Sequence, residues 1–196
     1  MRPAYFRISF LLLSVLCSFS FSQAVQWNLS YGTGSNEYLS AAQQTSDGGY
    51  MLAGTRYIAA GNNVYWLVKT DSSGGMQWNN TFGTNGYCYA ATQTSDGGYA
   101  LAGFIYSGGY NFWLVKATST GSQEWVKSIG NASTEYAYSL VQTSDGGYAL
   151  AGYQYAGNNN FWLVKTNSSG DMQWNKSYGN ASSQTAYSMK QTSDGG

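Results

Sequence analysis

The sequence predicts an all-β protein built as an array of four-stranded antiparallel blades, and three observations predict it. The string QTSDGG begins at Gln44, Gln93, Gln142 and Gln191, each 49 residues after the last, and a period that regular marks a repeat array. Every period holds strand-length apolar segments bounded by Gly, Asn, Ser and Asp clusters, four in each complete unit. Composition agrees: aromatics make up 17% of the 196 residues, with 25 Gly and 1 Pro, a mixture suited to strands and tight turns and too apolar for a disordered chain.

The first 25 residues stand apart. Arg2 and Arg7 precede the apolar run Ile8 to Phe21, followed by small residues and Gln23, which reads as a secretory signal over 1–25 with cleavage after Ser22 or Ala24. The run is shorter than the roughly 20 residues a membrane-crossing helix needs, so a signal is favoured over a span, and no span is expected after cleavage. Bulky Leu16 before Cys17 fits poorly with a lipid-attachment box, so a released product, secreted or at the cell surface, is expected. Without Arg2 and Arg7 the chain carries 7 basic and 9 acidic residues, a net charge of −2 that suits a soluble exterior.

The remaining chain, 26–196, divides by its repeat into an orphan fourth strand at 26–32, units at 33–82, 83–129 and 130–179, and a partial unit at 180–196. The first strand of each unit is EYLSAAQQT from Glu37, matched by YCYAATQT, YAYSLVQT and AYSMKQT. The second is YMLAG from Tyr50 and YALAG from Tyr99 and Tyr148; the third is YWLVKT from Tyr65, FWLVKA from Phe112 and FWLVKT from Phe161. The fourth is MQWNNTF from Met76, QEWVKSI and MQWNKSY. Between first and second strands lies Ser-Asp-Gly-Gly, whose Asp-Gly supplies the positive φ a tight hairpin requires. Asp71-Ser-Ser-Gly74, Thr118-Ser-Thr-Gly121 and Asn167-Ser-Ser-Gly170 turn the third strand into the fourth. Connections this short make antiparallel neighbours.

Length variation separates the two ends of each unit. Tyr50 to Trp66 spans 16 residues against 14 for Tyr99 to Trp113 and Tyr148 to Trp162, so the second-to-third loop absorbs the change. The loop after the fourth strand varies too, from the same end. One rim varies and the Asp-Gly rim is constant, the usual division of a scaffold that carries binding loops.

Apolar residues run on through YWLVK and YALAG without clean alternation, as in sheets buried on both faces. Units of this length that need cover on both sides suit the blades of a β-propeller, with small Ala, Ser and Gly of the first two strands near the axis and Trp at the periphery. A right-handed β-solenoid is the alternative, though its coils are shorter and poorer in Asp-Gly hairpins. Because the sequence stops inside a turn motif, the chain is expected to be a fragment of a longer product. An open blade face on such a piece invites self-association.

These repeats resemble a family of secreted or surface proteins of bacteria and archaea with tandem QTSDGGYxLAG, D-x-WLVK and W-x-x-x-x-GG motifs, over about Gln26 to Gly196. The resemblance implies a propeller, usually with more blades than this chain has, and mostly no assigned activity. The chain departs from the pattern where Val64, Asn111 and Asn160 replace the Asp, and where single Gly83, Gly130 and Gly179 replace Gly-Gly. Asp71-x-x-Gly74-x-x-x-Trp78 is weakly similar to the quinoprotein propeller repeat, and the Asp turns resemble the Asp-box of other propellers.

Asp47, Asp96, Asp145 and Asp194 each sit in their own turn and no DxDxDG loop exists, so a structural turn role is expected and a metal role is not. Lys69, Lys116 and Lys165 recur with the repeat, as packing or a repeated salt bridge would require. Cys88 shares a column with Leu39, Ala137 and Ala186 and reads as a small buried hydrophobe. Six Asn-x-Ser/Thr sequons, at Asn28, Asn79, Asn131, Asn167, Asn175 and Asn180, allow glycosylation in a glycosylating host; Asn28, Asn79 and Asn175 follow the outer-strand Trp. With no His and no paired carboxylates outside turns, no catalytic constellation or cofactor is expected. Near-zero formal charge leaves no basic surface for nucleic acid. The candidate ligand-binding residues are Tyr57, Tyr106 and Tyr155 with Asn63, Tyr110 and Asn159, rings beside amides on the variable rim, which suit a glycan or a protein. Inter-blade packing is the competing role for those tyrosines. The expected function is a noncatalytic extracellular binding or adhesion module; the alternative is part of a propeller enzyme, a polysaccharide lyase or quinoprotein, with its active residues outside this chain.

Overall fold

In the computed structural model, residues 27–32, 34–59, 62–131 and 134–196 are described; the signal segment 1–25 lies outside them. Strands β1 (Glu37–Gln44), β2 (Tyr50–Ala59), β3 (Asn62–Thr70) and β4 (Met76–Phe82) form one antiparallel sheet in sequential order. β5 (Gly86–Gln93), β6 (Tyr99–Tyr106), β7 (Tyr110–Ala117) and β8 (Gln123–Ile129) form a second. β9 (Glu135–Gln142), β10 (Tyr148–Tyr155), β11 (Asn159–Thr166) and β12 (Met172–Tyr178) form the third. The described residues contain no helix, so none long and apolar enough to cross a membrane.

The non-alternating runs have a direct cause in packing. In the middle sheet, Leu101, Trp113 and Val115 join a core with Met51, Ala53, Tyr65 and Leu67 of the first sheet. Their neighbours in sequence, Ala100, Ala102, Phe112 and Leu114, point the other way and join Leu140, Leu150, Trp162 and Val164 of the third. Both faces are buried, and each of these leucines contributes roughly 1.5–3 kcal/mol by leaving water. Aromatic knobs set the spacing between sheets. Tyr65 meets Trp113 edge-on at 4.7 Å and its hydroxyl donates to the Trp113 carbonyl, while Phe112 meets Trp162 at 4.6 Å. At the periphery, the fourth-strand indoles of the first two sheets abut a second-strand tyrosine of the next, Trp78 on Tyr99 and Trp125 on Tyr148.

The two end segments differ from expectation. Residues 27–32 and 180–196 form no ladder-paired strand. They nonetheless occupy repeat positions. Trp27 lies on Tyr50 at 5.4 Å, as the later indoles lie on their tyrosines. The 184–191 stretch follows the third sheet, with Ala186 N–H donating to the Gly152 carbonyl and Met189 N–H to Ser139 Oγ.

Every first strand carries one β-bulge, which leaves Ser40, Tyr89 and Tyr138 without a partner on the second strand. The bulge swings the preceding carbonyl inward. A Cβ on Gly54, Gly103 or Gly152 would lie within 2 Å of the carbonyl oxygen of Tyr38, Tyr87 or Tyr136. The glycine of each LAG is therefore required by this close approach, and the bulge re-aims the side chain it carries.

Candidate binding surface

The constant rim is occupied by its own bonds. Asp47 Oδ1 accepts the Thr45 hydroxyl at 2.5 Å and the Gly49 amide at 3.1 Å, while Oδ2 pairs with the buried Lys69 ammonium at 2.8 Å. Asp96 with Lys116 and Asp145 with Lys165 repeat the pair at 2.8 and 2.7 Å, and Glu124 joins Lys116 at 2.6 Å. A side chain on Gly49 would strike both the Thr70 carbonyl and the Lys69 Nζ, which explains the second glycine of the motif. Lys69 holds the Asp47 carboxyl far below its ordinary range, helped by the Thr45 hydroxyl and Gly49 amide. Burial opposes the same effect at Asp96, yet Lys116, Thr94 and Gly98 still bring its carboxyl down to about 2. Asp194 keeps the hydroxyl and amide bonds, to Thr192 and Gly196.

The same rim is clasped from sheet to sheet. The Gln93 side-chain carbonyl accepts the Ser46 amide at 2.8 Å, Gln142 accepts that of Ser95 at 2.8 Å, and Gln191 that of Ser144 at 3.0 Å. The carboxylates are thus committed to turns. Among the described residues, no group of three or more His, Cys, Asp and Glu converges as a metal site would.

Both rims hold a depression: that of the constant rim, about 730 Å³, is bordered by polar residues such as Gln43, Ser46, Gln93, Asp96 and Gln142, while that of the variable rim, about 630 Å³, is aromatic and bordered by Asn63, Asn85, Tyr87, Tyr89, Phe104, Tyr106, Tyr110 and Tyr136. β5 supplies Tyr87 and the bulged Tyr89, β6 supplies Phe104 and Tyr106 two residues apart, and β9 supplies Tyr136. Phe104 stacks between Tyr136 at 4.3 Å and Tyr87 at 5.3 Å, so its faces are taken. Tyr110 stands edge-on to Phe104 and Tyr136, with Tyr106 tilted against it at 5.0 Å. Asn63 Nδ2 reaches across from the first sheet to the Tyr87 hydroxyl at 2.7 Å. Asn85 sits at a positive φ of 56° and takes the Tyr106 amide on its carbonyl. Beyond the depression the bulged tyrosines continue the aromatic line, Tyr89 to Tyr138 at 4.8 Å and Tyr138 to Tyr187 at 5.1 Å.

Burial, then the neighbouring phenols, raises the pKa of Tyr89, Tyr136 and Tyr138, and lifts that of Tyr153 to about 12. These four phenols therefore stay protonated at any physiological pH, neutral O–H donors.

Of the six residues expected to bind, Tyr106, Tyr110 and Asn63 border the depression. Tyr57, Tyr155 and Asn159 do not; Tyr155 pairs with Asn159 across the β10–β11 hairpin and Tyr57 pairs with Asn63 across β2–β3. Tyr57, Tyr106 and Tyr155 are 36%, 50% and 49% exposed. Tyr87, Tyr89, Phe104 and Tyr136 were not anticipated, because the first strands read as small-residue segments; the Tyr-x-Tyr pairs at 87/89 and 136/138 are the signal that marks them.

Cys88 is fully buried, and burial pushes its thiol up to about 12. Among the sequons, Asn79 and Asn175 are exposed on outer strands, but their Oδ1 atoms accept the indole N–H of Trp66 at 3.0 Å and Trp162 at 3.2 Å; Asn28 is exposed before the first sheet. No family model matches the chain, and no curated protein matches it.

Proposed function

We propose that this chain is a noncatalytic extracellular binding module of β-propeller type that takes an uncharged glycan in the depression on its variable rim. The propeller reading is supported by face-to-face packing of successive sheets, with β1, β5 and β9 in contact along one line and β4 and β8 outermost. A location outside the cell rests on the signal-like 1–25 and on the repeats that resemble surface proteins.

The glycan reading is carried by one observation, a neutral aromatic depression flanked by the amides of Asn63 and Asn85. A sugar's C–H face stacks on a ring, and its hydroxyls exchange hydrogen bonds with amides and phenols. Since the Phe104 stack is closed, Tyr106 and Tyr110 are the rings open to stacking. The test is a glycan array followed by titration calorimetry with Tyr106→Ala and Tyr110→Ala. Each should weaken a neutral glycan at least about tenfold, the equivalent of 1.4 kcal/mol, while Tyr155→Ala leaves it unchanged. No binding to any neutral glycan, or a hit indifferent to Tyr106, overturns the assignment.

A further inference from the structure

We infer, resting on the glycan reading of the variable-rim depression, that this site recognises a vicinal diol, two adjacent ring hydroxyls held together by the side chains of Asn63 and Tyr87. The repeat is broken at this point. Asn63, Tyr110 and Asn159 hold one position ahead of the third-strand Trp, and Tyr87 and Tyr136 hold one position in the first strand. Where the first sheet meets the second, these columns set an amide on a phenol, with Asn63 Nδ2 donating to the Tyr87 hydroxyl at 2.7 Å. Where the second meets the third, they set ring on ring, Tyr110 edge-on to Tyr136 at 5.5 Å. Residues fixed by packing alone recur with the period, and this pair does not.

The Asn63–Tyr87 bond uses one amide proton and one hydroxyl lone pair. Tyr87 keeps its O–H proton to donate and Asn63 its carbonyl oxygen to accept, and among the described residues no other side-chain hydrogen bond engages either group. The complement is the same with the amide turned over, the two ends then exchanging roles. A ligand that satisfies both must offer an acceptor and a donor side by side. Two gauche hydroxyls on adjacent ring carbons do so, one accepting the Tyr87 proton while the other donates to Asn63. An acetamido group or a peptide link does not, since its N–H and C=O point opposite ways across a trans amide.

The rings place such a sugar. Phe104 stands between the polar pair and the stacking platform, 5.3 Å from Tyr87 and 5.3 Å from Tyr110. One pyranose can therefore stack on Tyr110 while its hydroxyls reach the pair. Asn63 and Tyr87 are both half-buried in the wall of the depression, so a donor or acceptor left unmet there costs more than one facing bulk water. A site built this way rejects the analogue that lacks the hydroxyl it reads.

Titration of the protein with the methyl glycosides of glucose, galactose and mannose, followed by nuclear magnetic resonance, tests it. The 3-deoxy derivative of each keeps the ring but carries no vicinal ring diol, whereas the 6-deoxy derivative keeps every one. A parent that binds should lose about tenfold in affinity as its 3-deoxy form and less than about twofold as its 6-deoxy form. Tyr87→Phe, which keeps the ring against Phe104, should weaken the parent by the same factor yet bind the 3-deoxy form as the wild type does, and Asn63→Ala should repeat that result. Tyr110→Ala, at the stacking platform, should weaken parent and 3-deoxy forms alike. Parent and 3-deoxy forms bound equally, equal losses for the two deoxy forms, or a Tyr87→Phe loss that persists against the 3-deoxy form overturns the diol assignment and leaves the glycan reading standing. If none of the three glycosides binds, the diol assignment falls as well, and the glycan array alone decides the glycan reading.

Discussion

Truncating Phe112 probes the sheet-to-sheet packing more directly than any other single change. The ring is fully buried and meets Trp162 at 4.6 Å, so Phe112→Ala removes its burial, leaves a cavity and breaks an aromatic pair. Buried Phe→Ala changes cost about 3–5 kcal/mol, and loss of the Trp162 contact, itself about 0.5–1.5 kcal/mol, places this one near 4 kcal/mol. Phe161 is the same residue at the same repeat position but 40% exposed, so Phe161→Ala should cost less than about 1.5 kcal/mol. Urea denaturation followed by tryptophan fluorescence separates the two. With a slope of about 2–3 kcal/mol/M, Phe112→Ala lowers the midpoint by more than about 1 M and Phe161→Ala by half a molar or so. Equal losses in the two variants would mean that the sheets do not pack through this column, and the inter-sheet reasoning would fall with it.

Three further outcomes follow from the geometry. Gly103→Ala should abolish or severely weaken folding, since its Cβ would lie 1.9 Å from the Tyr87 carbonyl oxygen; a variant with an unchanged melting curve would refute the close approach. Cys88, buried and with its thiol pushed to about 12, should ignore Ellman's reagent in the native state and react stoichiometrically in denaturant; rapid native labelling contradicts its placement. The turn carboxylates of Asp47, Asp96 and Asp145 titrate below the ordinary aspartate value when folded, so their contribution is present above about pH 4 and is lost as pH falls, for Asp96 through about 2. Thermal stability should accordingly drop on acidification below pH 4, and the Asp96→Asn variant should lose less over that interval than the wild type.

Most of the strand pattern was legible because each motif has a local physical cause. Asp-Gly forces the hairpin, Trp and Tyr recur where sheets meet, and three complete periods give three sheets. The bulge was not legible. Ser40, Tyr89 and Tyr138 share the bulged column but no residue type, so nothing in the sequence marks the one residue displaced from each ladder. Without the bulge, Tyr87, Tyr89 and Tyr136 read as members of small-residue strands, and only the Tyr-x-Tyr pairs at 87/89 and 136/138 hinted at the depression they wall. Tyr106, Tyr110 and Asn63 were legible for a simpler reason: they stand at loop ends, where exposure follows from position alone. Tyr155 and Asn159, chosen on the same ground, face each other across one hairpin and join no shared depression.

The glutamine clasp has a consequence for how such chains change over generations. Its donor, a serine amide, belongs to one period, and its acceptor, a glutamine side chain, belongs to the next. A duplicated period arrives with one of each, so gene expansion or contraction leaves every remaining clasp satisfied. The clasp therefore sets no limit of its own on the number of periods, while each serine–glutamine pair depends on the neighbours on either side.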